Sequence, residues 1–197
     1  MFRTLTAFAL ATLVTTPAIA CKFTGKDGLF RDIISIGETV YHEPVPLALP
    51  TVEYTDETGA RRSLSEHLGK PIVVTFWHPD CIGCKVDLPR MDTFLETDTE
   101  FDADRFVQIS IETLNEGRGN IEVDARDVSE FLASKSYGNI DVNIDPGNEM
   151  FNSTCLVATP AHMLINSEGK VTDVLFGARK WSEEPLRGVL KNYLANF

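Results

Sequence analysis

Gly69-Lys70-Pro71-Ile72-Val73-Val74-Thr75-Phe76-Trp77-His78-Pro79-Asp80-Cys81-Ile82-Gly83-Cys84 is the stretch that decides the fold. Pro71 opens an apolar run through Trp77, the pattern of a strand buried on both faces. Just beyond it, where the strand ends, Cys81 and Cys84 stand one helical turn apart. That is the layout of a dithiol/disulfide redox centre.

Downstream, residues 81–95 suit a helix, with apolar Ile82, Val86, Leu88, Met91 and Leu95 and a kink expected at Pro89. Phe106 to Ile111 predicts the next strand, and Val123 to Tyr137 a second helix with Val128, Phe131 and Leu132 on one face. A short strand at Ile140 to Ile144 and a brief helix near Asn148 to Asn152 follow. Thr159-Pro160 precedes a strand from Ala161 to Ile165, Ser167-Glu168-Gly169-Lys170 turns the chain into Val171 to Leu175, and Glu183 to Leu194 makes the last helix. Upstream, a strand at Val52 to Tyr54, a turn through Asp56-Glu57-Thr58-Gly59 and a helical turn at Ser63 to His67 form a small preface. The alternation predicts an α/β fold: a central mixed sheet flanked by helices, with an N-terminal extension and hairpin.

Residues 1–20 read as a secretory signal peptide: Arg3, an apolar stretch from Leu5 to Val14, and Ala18-Ile19-Ala20 before the cleavage point. The apolar stretch is too short for a bilayer span, and no later segment approaches that length. Residues 21–50, closing on Pro44, Pro46 and Pro50, read as an extension, and residues 51–197 as one domain. Export makes a periplasmic location the expectation and lets a disulfide persist. Cys21 directly after the cleavage point keeps lipid anchoring open, although Ala18 favours soluble export. The formal net charge of -11 argues against nucleic acid as a partner.

Disulfide exchange needs a thiolate, and Cys81 at a helix start is favoured as one by the unpaired N–H groups there. Cys84, one turn in, would be more buried and act second. The chain holds four cysteines, so a four-cysteine zinc site would have to recruit the widely spaced Cys21 and Cys155. Those two could instead form a structural disulfide that staples the extension to the domain, or Cys155 could be a buried free thiol.

The run from Gly69 to Trp77, the CxxC motif, Lys85-Val86-Asp87-Leu88-Pro89 and Thr159-Pro160-Ala161-His162-Met163-Leu164-Ile165-Asn166 together resemble the TlpA/ResA-like periplasmic thiol:disulfide oxidoreductases of the thioredoxin superfamily. The resemblance covers about residues 50–197 and implies a thioredoxin-like fold. It implies that Pro160 is a cis-proline beside the dithiol, with Thr159 and Trp77 near a bound partner segment, and that Asp87 assists proton movement. It further implies protein thiol or disulfide clients, a membrane thiol carrier as electron donor, a monomeric chain, and no cofactor beyond the Cys81-Cys84 pair. Plausible clients are apocytochrome c thiols or cysteines of a copper-site assembly protein.

This chain departs from the family pattern in three places. Asp80 replaces the usual aromatic residue before the first cysteine and would oppose a thiolate there. Ile82-Gly83 between the cysteines lacks the common proline. Thr75 stands where thioredoxin itself has a buried aspartate. Two other functions compete: a Cu(I) chaperone using both thiolates with His162 or His78, and a thiol peroxidase. The peroxidase wants a Thr three residues before its cysteine, where this chain has His78.

Overall fold

The computed structural model describes residues 40–41, 53–115, 119–154 and 156–197. In chain order these form β1 (Val40–Tyr41), β2 (Tyr54–Thr55), β3 (Arg61–Arg62), β4 (Ile72–Trp77), α1 (Ile82–Thr97), β5 (Phe106–Ile111), β6 (Thr113–Asn115), β7 (Asn120–Glu122), α2 (Ala125–Lys135), β8 (Ile144–Asp145), α3 (Glu149–Ser153), β9 (Ala161–Ile165), β10 (Val171–Phe176) and α4 (Leu186–Asn196). The signal peptide, the extension apart from β1, Val52, Cys21 and Cys155 lie outside the described residues.

The main sheet runs β1-β10-β9-β4-β5-β8-β2-β3. β4 pairs parallel with β5, and β5 with β8, while β9 lies antiparallel to β4 on its other side. This is the mixed sheet expected from the element order. β4 and β5 are central, so every residue in both is buried. That explains why neither shows the alternation of a half-exposed strand. The core carries Phe76, Leu88, Met91, Phe94, Ile109, Met163 and Leu164, all essentially without exposure.

The structure differs from the sequence reading at several elements. The strand expected over Ile140 to Ile144 shrinks to Ile144–Asp145, because the preceding residues bond to the Gln108 side chain and backbone instead of extending a ladder. The Asp141 N–H donates to Gln108 Oε1 at 3.0 Å, and Asn143 Nδ2 donates to the Gln108 carbonyl at 2.9 Å. The second helix is shorter at both ends. Asp124 and Asp127 form a reciprocal capping box at its start, and Ser136 adopts a left-handed conformation at its end. The last helix begins at Leu186, after a cis Glu184–Pro185 bond. The β6–β7 hairpin was not expected at all. α1 continues through Pro89 as one helix.

That hairpin is fastened to the body through Asn148, whose Oδ1 accepts the Thr113 N–H at 3.0 Å and whose Nδ2 donates to the Thr113 carbonyl at 2.6 Å. Nearby, the buried Asp145 carboxylate accepts the N–H groups of Met150 at 2.9 Å and Phe151 at 2.7 Å, fixing the start of α3. Asp145→Ala removes both acceptors and leaves buried donors unpaired. It is expected to lower stability by about 1–3 kcal/mol in denaturant unfolding. An unchanged midpoint would mean that α3 is held by packing alone.

Candidate active site

β4 carries the chain to Trp77, and residues 78–80 turn it into α1. Cys81 is the N-cap residue of that helix, and its Sγ accepts the Cys84 N–H at 3.1 Å. Cys81 and Cys84 form a disulfide with Cα atoms 5.2 Å apart. The geometry places the Cys81 sulfur where the helix's unpaired N–H groups converge, an electrostatic setting that favours its thiolate after reduction.

Opposite this sulfur lies the start of β9. The Thr159–Pro160 bond is cis, and the Thr159 carbonyl oxygen stands 3.3 Å from Cys81 Sγ, positioned to accept from the thiol in the reduced protein. Gly83 makes this close approach possible. A Cβ on it would sit 2.9 Å from Pro160 Cδ, below the separation that real side chains tolerate. The Ile82-Gly83 dipeptide, which lacks the family's common proline, thus lets α1 seat directly against Pro160.

Cys84 is fully buried and Cys81 is only 3 % exposed, so the expected difference in access is small. Cys81 is reached from one side, through a groove of about 460 Å³ bounded by Cys81, Ile82, Leu114, Phe151, Val157 and Thr159. Ile82 and Val157 stand 73 % and 76 % exposed on its rim. Trp77, expected near a bound segment, is instead fully buried and packs on Phe131 of α2 with ring centroids 5.9 Å apart. It supports the turn from behind and does not line the groove. Asp80 is solvent-facing and paired with Lys85 Nζ at 3.3 Å, a contact that offsets part of its charge near Cys81.

Asp87 lies one turn beyond Cys84 on the same helix, so the two side chains share a face. It is fully buried. Its Oδ1 accepts the Arg179 backbone N–H at 2.7 Å and Trp181 Nε1–H at 3.1 Å. Its Oδ2 has no hydrogen-bond partner among the described residues. Burial pushes the carboxyl up to about 7, against the pull of those two donors and of the Arg179 and Arg90 charges. Asp87 is therefore a buried acid that can change protonation near neutral pH, next to the second cysteine.

His162, two residues after Pro160, also lies fully buried beneath the site. Its Nδ1 is 3.0 Å from Thr75 Oγ1 and its Nε2 is 3.2 Å from the Gly177 carbonyl oxygen. Burial, aided by the nearby Arg179 charge, lowers it to about 3, so it is neutral. Its 3.7 Å approach to Asp87 Oδ2 is consequently not an ion pair. Both ring nitrogens are engaged, which leaves His162 unsuited to the copper-ligand role considered from sequence. His78 is buried as well, and its Nδ1 accepts the Asp80 N–H at 3.0 Å. Among the described residues, no cluster of three or more His, Cys, Asp or Glu side chains is arranged to hold a metal.

Sequence reasoning noted Gly83 only as a departure from the family pattern, and it missed Arg179 and Trp181. The last two sit in the irregular segment between β10 and α4, where no periodicity marks a residue as buried. Arg179 is nonetheless wholly enclosed, and its Nη2 donates to the Phe176 carbonyl.

A sheet of this topology with a CxxC disulfide at the start of α1 and a cis-proline facing it defines a thioredoxin-like protein. The chain belongs to the AhpC/TSA family, whose sequence profile matches residues 45–174. It is 30% identical over 129 residues to the thiol-disulfide oxidoreductase ResA of Bacillus subtilis, an alignment covering 65% of each chain. The chain thus spans just under two thirds of that relative. The fold is shared with a thiol-disulfide isomerase from Corynebacterium glutamicum, at TM-score 0.59 and 18% identity over 78% of this chain and 98% of that one. A putative thiol:disulfide interchange protein DsbE from Chlorobium tepidum matches at TM-score 0.55 and 22% identity, over 75% of this chain and 95% of that one.

The raised Asp87 pKa has a definite consequence for stability. Between about pH 4 and pH 7 the unfolded carboxyl has lost its proton while the folded one keeps it, so folding stability falls as pH rises through this window. Asp87→Asn removes the effect. Denaturant unfolding of oxidised wild type and Asp87→Asn should show the variant gaining relative stability from about pH 4 to about pH 7, by at most about 4 kcal/mol. A difference that stays flat across the window would show that Asp87 is ionised in the folded protein throughout.

Proposed function

We propose that this protein is an exported thiol:disulfide oxidoreductase that reduces disulfides of client proteins through Cys81 and Cys84. The observation that carries the reading is the placement of Cys81 Sγ at the α1 N-terminus, at the wall of an open groove and 3.3 Å from the Thr159 carbonyl next to cis-Pro160. A sulfur so placed is stabilised as an anion and has a backbone beside it that an extended client segment can meet. The similarity to the oxidoreductase ResA supports the same activity.

In the reducing direction the Cys81 thiolate attacks one sulfur of a client disulfide. A Cys81–client disulfide forms and the other client sulfur leaves as a thiolate. Cys84 then gives its proton to Asp87 and attacks Cys81 Sγ. The Cys81–Cys84 disulfide forms, the mixed disulfide breaks, and the second client thiolate departs. Two electrons pass to the client, whose two thiolates take up protons from solvent, while the Cys84 proton stays on Asp87 and is lost to solvent before the next turnover. The oxidised pair returns to the dithiol by the reverse exchange with a thiol donor, which we assign to a membrane electron carrier. Client disulfides of apocytochrome c or of copper-site assembly proteins fit this chemistry. Residues 1–20 would direct export to the periplasm, where such clients become oxidised.

The groove rim offers the apolar side chains of Ile82 and Val157 to the client segment. A peroxidase reading, raised by the family's name and by the sequence, finds His78 rather than Thr three residues before Cys81, and that histidine is buried against the turn. Peroxide-dependent turnover at a rate above that of disulfide reduction would support it.

The two-thiol mechanism predicts asymmetric trapping. Cys84→Ala, incubated with a disulfide-bearing client or peptide, should accumulate a mixed disulfide through Cys81, whereas Cys81→Ala should accumulate little. Equal trapping by the two variants, read by non-reducing electrophoresis and mass spectrometry, would reverse or abolish the assigned order.

A further inference from the structure

The proton step assigned to Asp87 leaves a question of charge. Once ionised, the carboxylate has two donors on Oδ1, from Arg179 N–H and Trp181 Nε1–H, and none on Oδ2 among the described residues. An isolated buried oxygen of that kind is costly as an anion. His162 Nε2 stands 3.7 Å from this oxygen.

The tautomer of His162 follows from its neighbours. The Gly177 carbonyl, 3.2 Å from Nε2, can only accept, so Nε2 carries the proton. Nδ1 then carries a lone pair and must receive the Thr75 hydroxyl at 3.0 Å. The ring is further fixed by Trp181, whose edge-to-face contact sets the centroids 4.8 Å apart at 88°. Thr75 on β4 and His162 on β9 are register partners across the sheet, so the hydroxyl and ring are built into adjacent strands. The result is a neutral imidazole whose N–H nitrogen stands 3.2 Å from the Gly177 carbonyl oxygen and 3.7 Å from Asp87 Oδ2.

We infer that Thr75 and His162 are a positioning pair for the proton acceptor: Thr75 holds the imidazole so that its Nε2–H can turn from the Gly177 carbonyl to Asp87 Oδ2 when Asp87 is ionised. The movement needed is under about 1 Å to bring the 3.7 Å separation into hydrogen-bond range. Accepting the hydroxyl at Nδ1 also polarises the ring and strengthens Nε2–H as a donor. When Cys84 transfers its proton to Oδ2, the imidazole N–H returns to Gly177 and no charge is left on His162. The threonine that replaces thioredoxin's buried aspartate thereby acts on the acid that α1 supplies instead. The groups that bear on Asp87 are Arg90 from α1, His162 from β9, and Arg179 with Trp181 from the segment after β10, and Cys84 precedes it by one turn on α1. Arg179 is the charge that also bears on His162.

This inference rests on the reading of Asp87 as acceptor of the Cys84 proton, and the test separates the two. Reduced full-length protein is mixed in stopped flow with one equivalent of Ellman's reagent. Cys81 attack releases a first thionitrobenzoate, and Cys84 attack on the resulting mixed disulfide releases a second. The rate of the second release is followed against pH. Asp87→Asn should lose the wild-type pH limb of that step, and retention of the limb would sink the Asp87 reading itself. With that limb lost in Asp87→Asn, Thr75→Val should raise the wild-type midpoint by about half a pH unit or more, while Thr75→Ser, which keeps the hydroxyl, should leave it in place. His162→Phe, where it folds, should move the midpoint up by about one unit. An unmoved midpoint in Thr75→Val, or an equal shift in Thr75→Ser, overturns the positioning role while leaving the two-thiol mechanism intact.

Discussion

The close approach of α1 to cis-Pro160 is the constraint on which the site depends. It requires the end of β4, the first turn of α1 and the start of β9 to meet at one point, and a Cβ at Gly83 would collide with the proline ring at 2.9 Å. The sheet makes the meeting possible, since β4 and β9 are antiparallel neighbours with Phe76 registered against Ala161. From that one contact follow the position of Cys81 at the helix cap, its distance to the Thr159 carbonyl, and the opening of the groove on the remaining side.

Beneath the sulfurs the protein keeps a polar cluster in a place where burial is unfavourable to charge. Asp87, His162, Thr75 and Arg179 are all essentially without solvent contact. A carboxyl in such surroundings is raised and an imidazole lowered, and both shifts occur here for the same reason. The arrangement costs folding stability and holds an acid that ionises near neutral pH. Hydrogen bonds from a backbone N–H and an indole limit that cost on one oxygen only, and the other oxygen stands 3.7 Å from His162 Nε2.

Much of this was legible in the sequence because the decisive signals are local. The apolar run before Cys81, the cysteine spacing and the dipeptide Thr159-Pro160 each mark one end of an element, and β4, α1 and β9 stand where those marks put them. Asp87 was also legible, from its position after Cys84. What stayed hidden depends on contacts between distant segments. Nothing in Ile82-Gly83 announces that Pro160 will press on it. Arg179 and Trp181 lie more than ninety positions from the carboxyl they serve. The β6–β7 hairpin has only Leu114 buried, so it leaves no alternating pattern to detect. The strand expected from Ile140 was lost to Gln108, whose side chain takes backbone bonds that a ladder would otherwise claim.

The measurement that tests the account most directly is the equilibrium reduction potential of the Cys81/Cys84 pair in purified protein, with free thiols counted in the same sample. The account predicts a reversible two-electron couple below about -200 mV, where a dithiol donates electrons to client disulfides. A potential near about -120 mV, the range of a dedicated oxidant, or the absence of any reversible couple would contradict it.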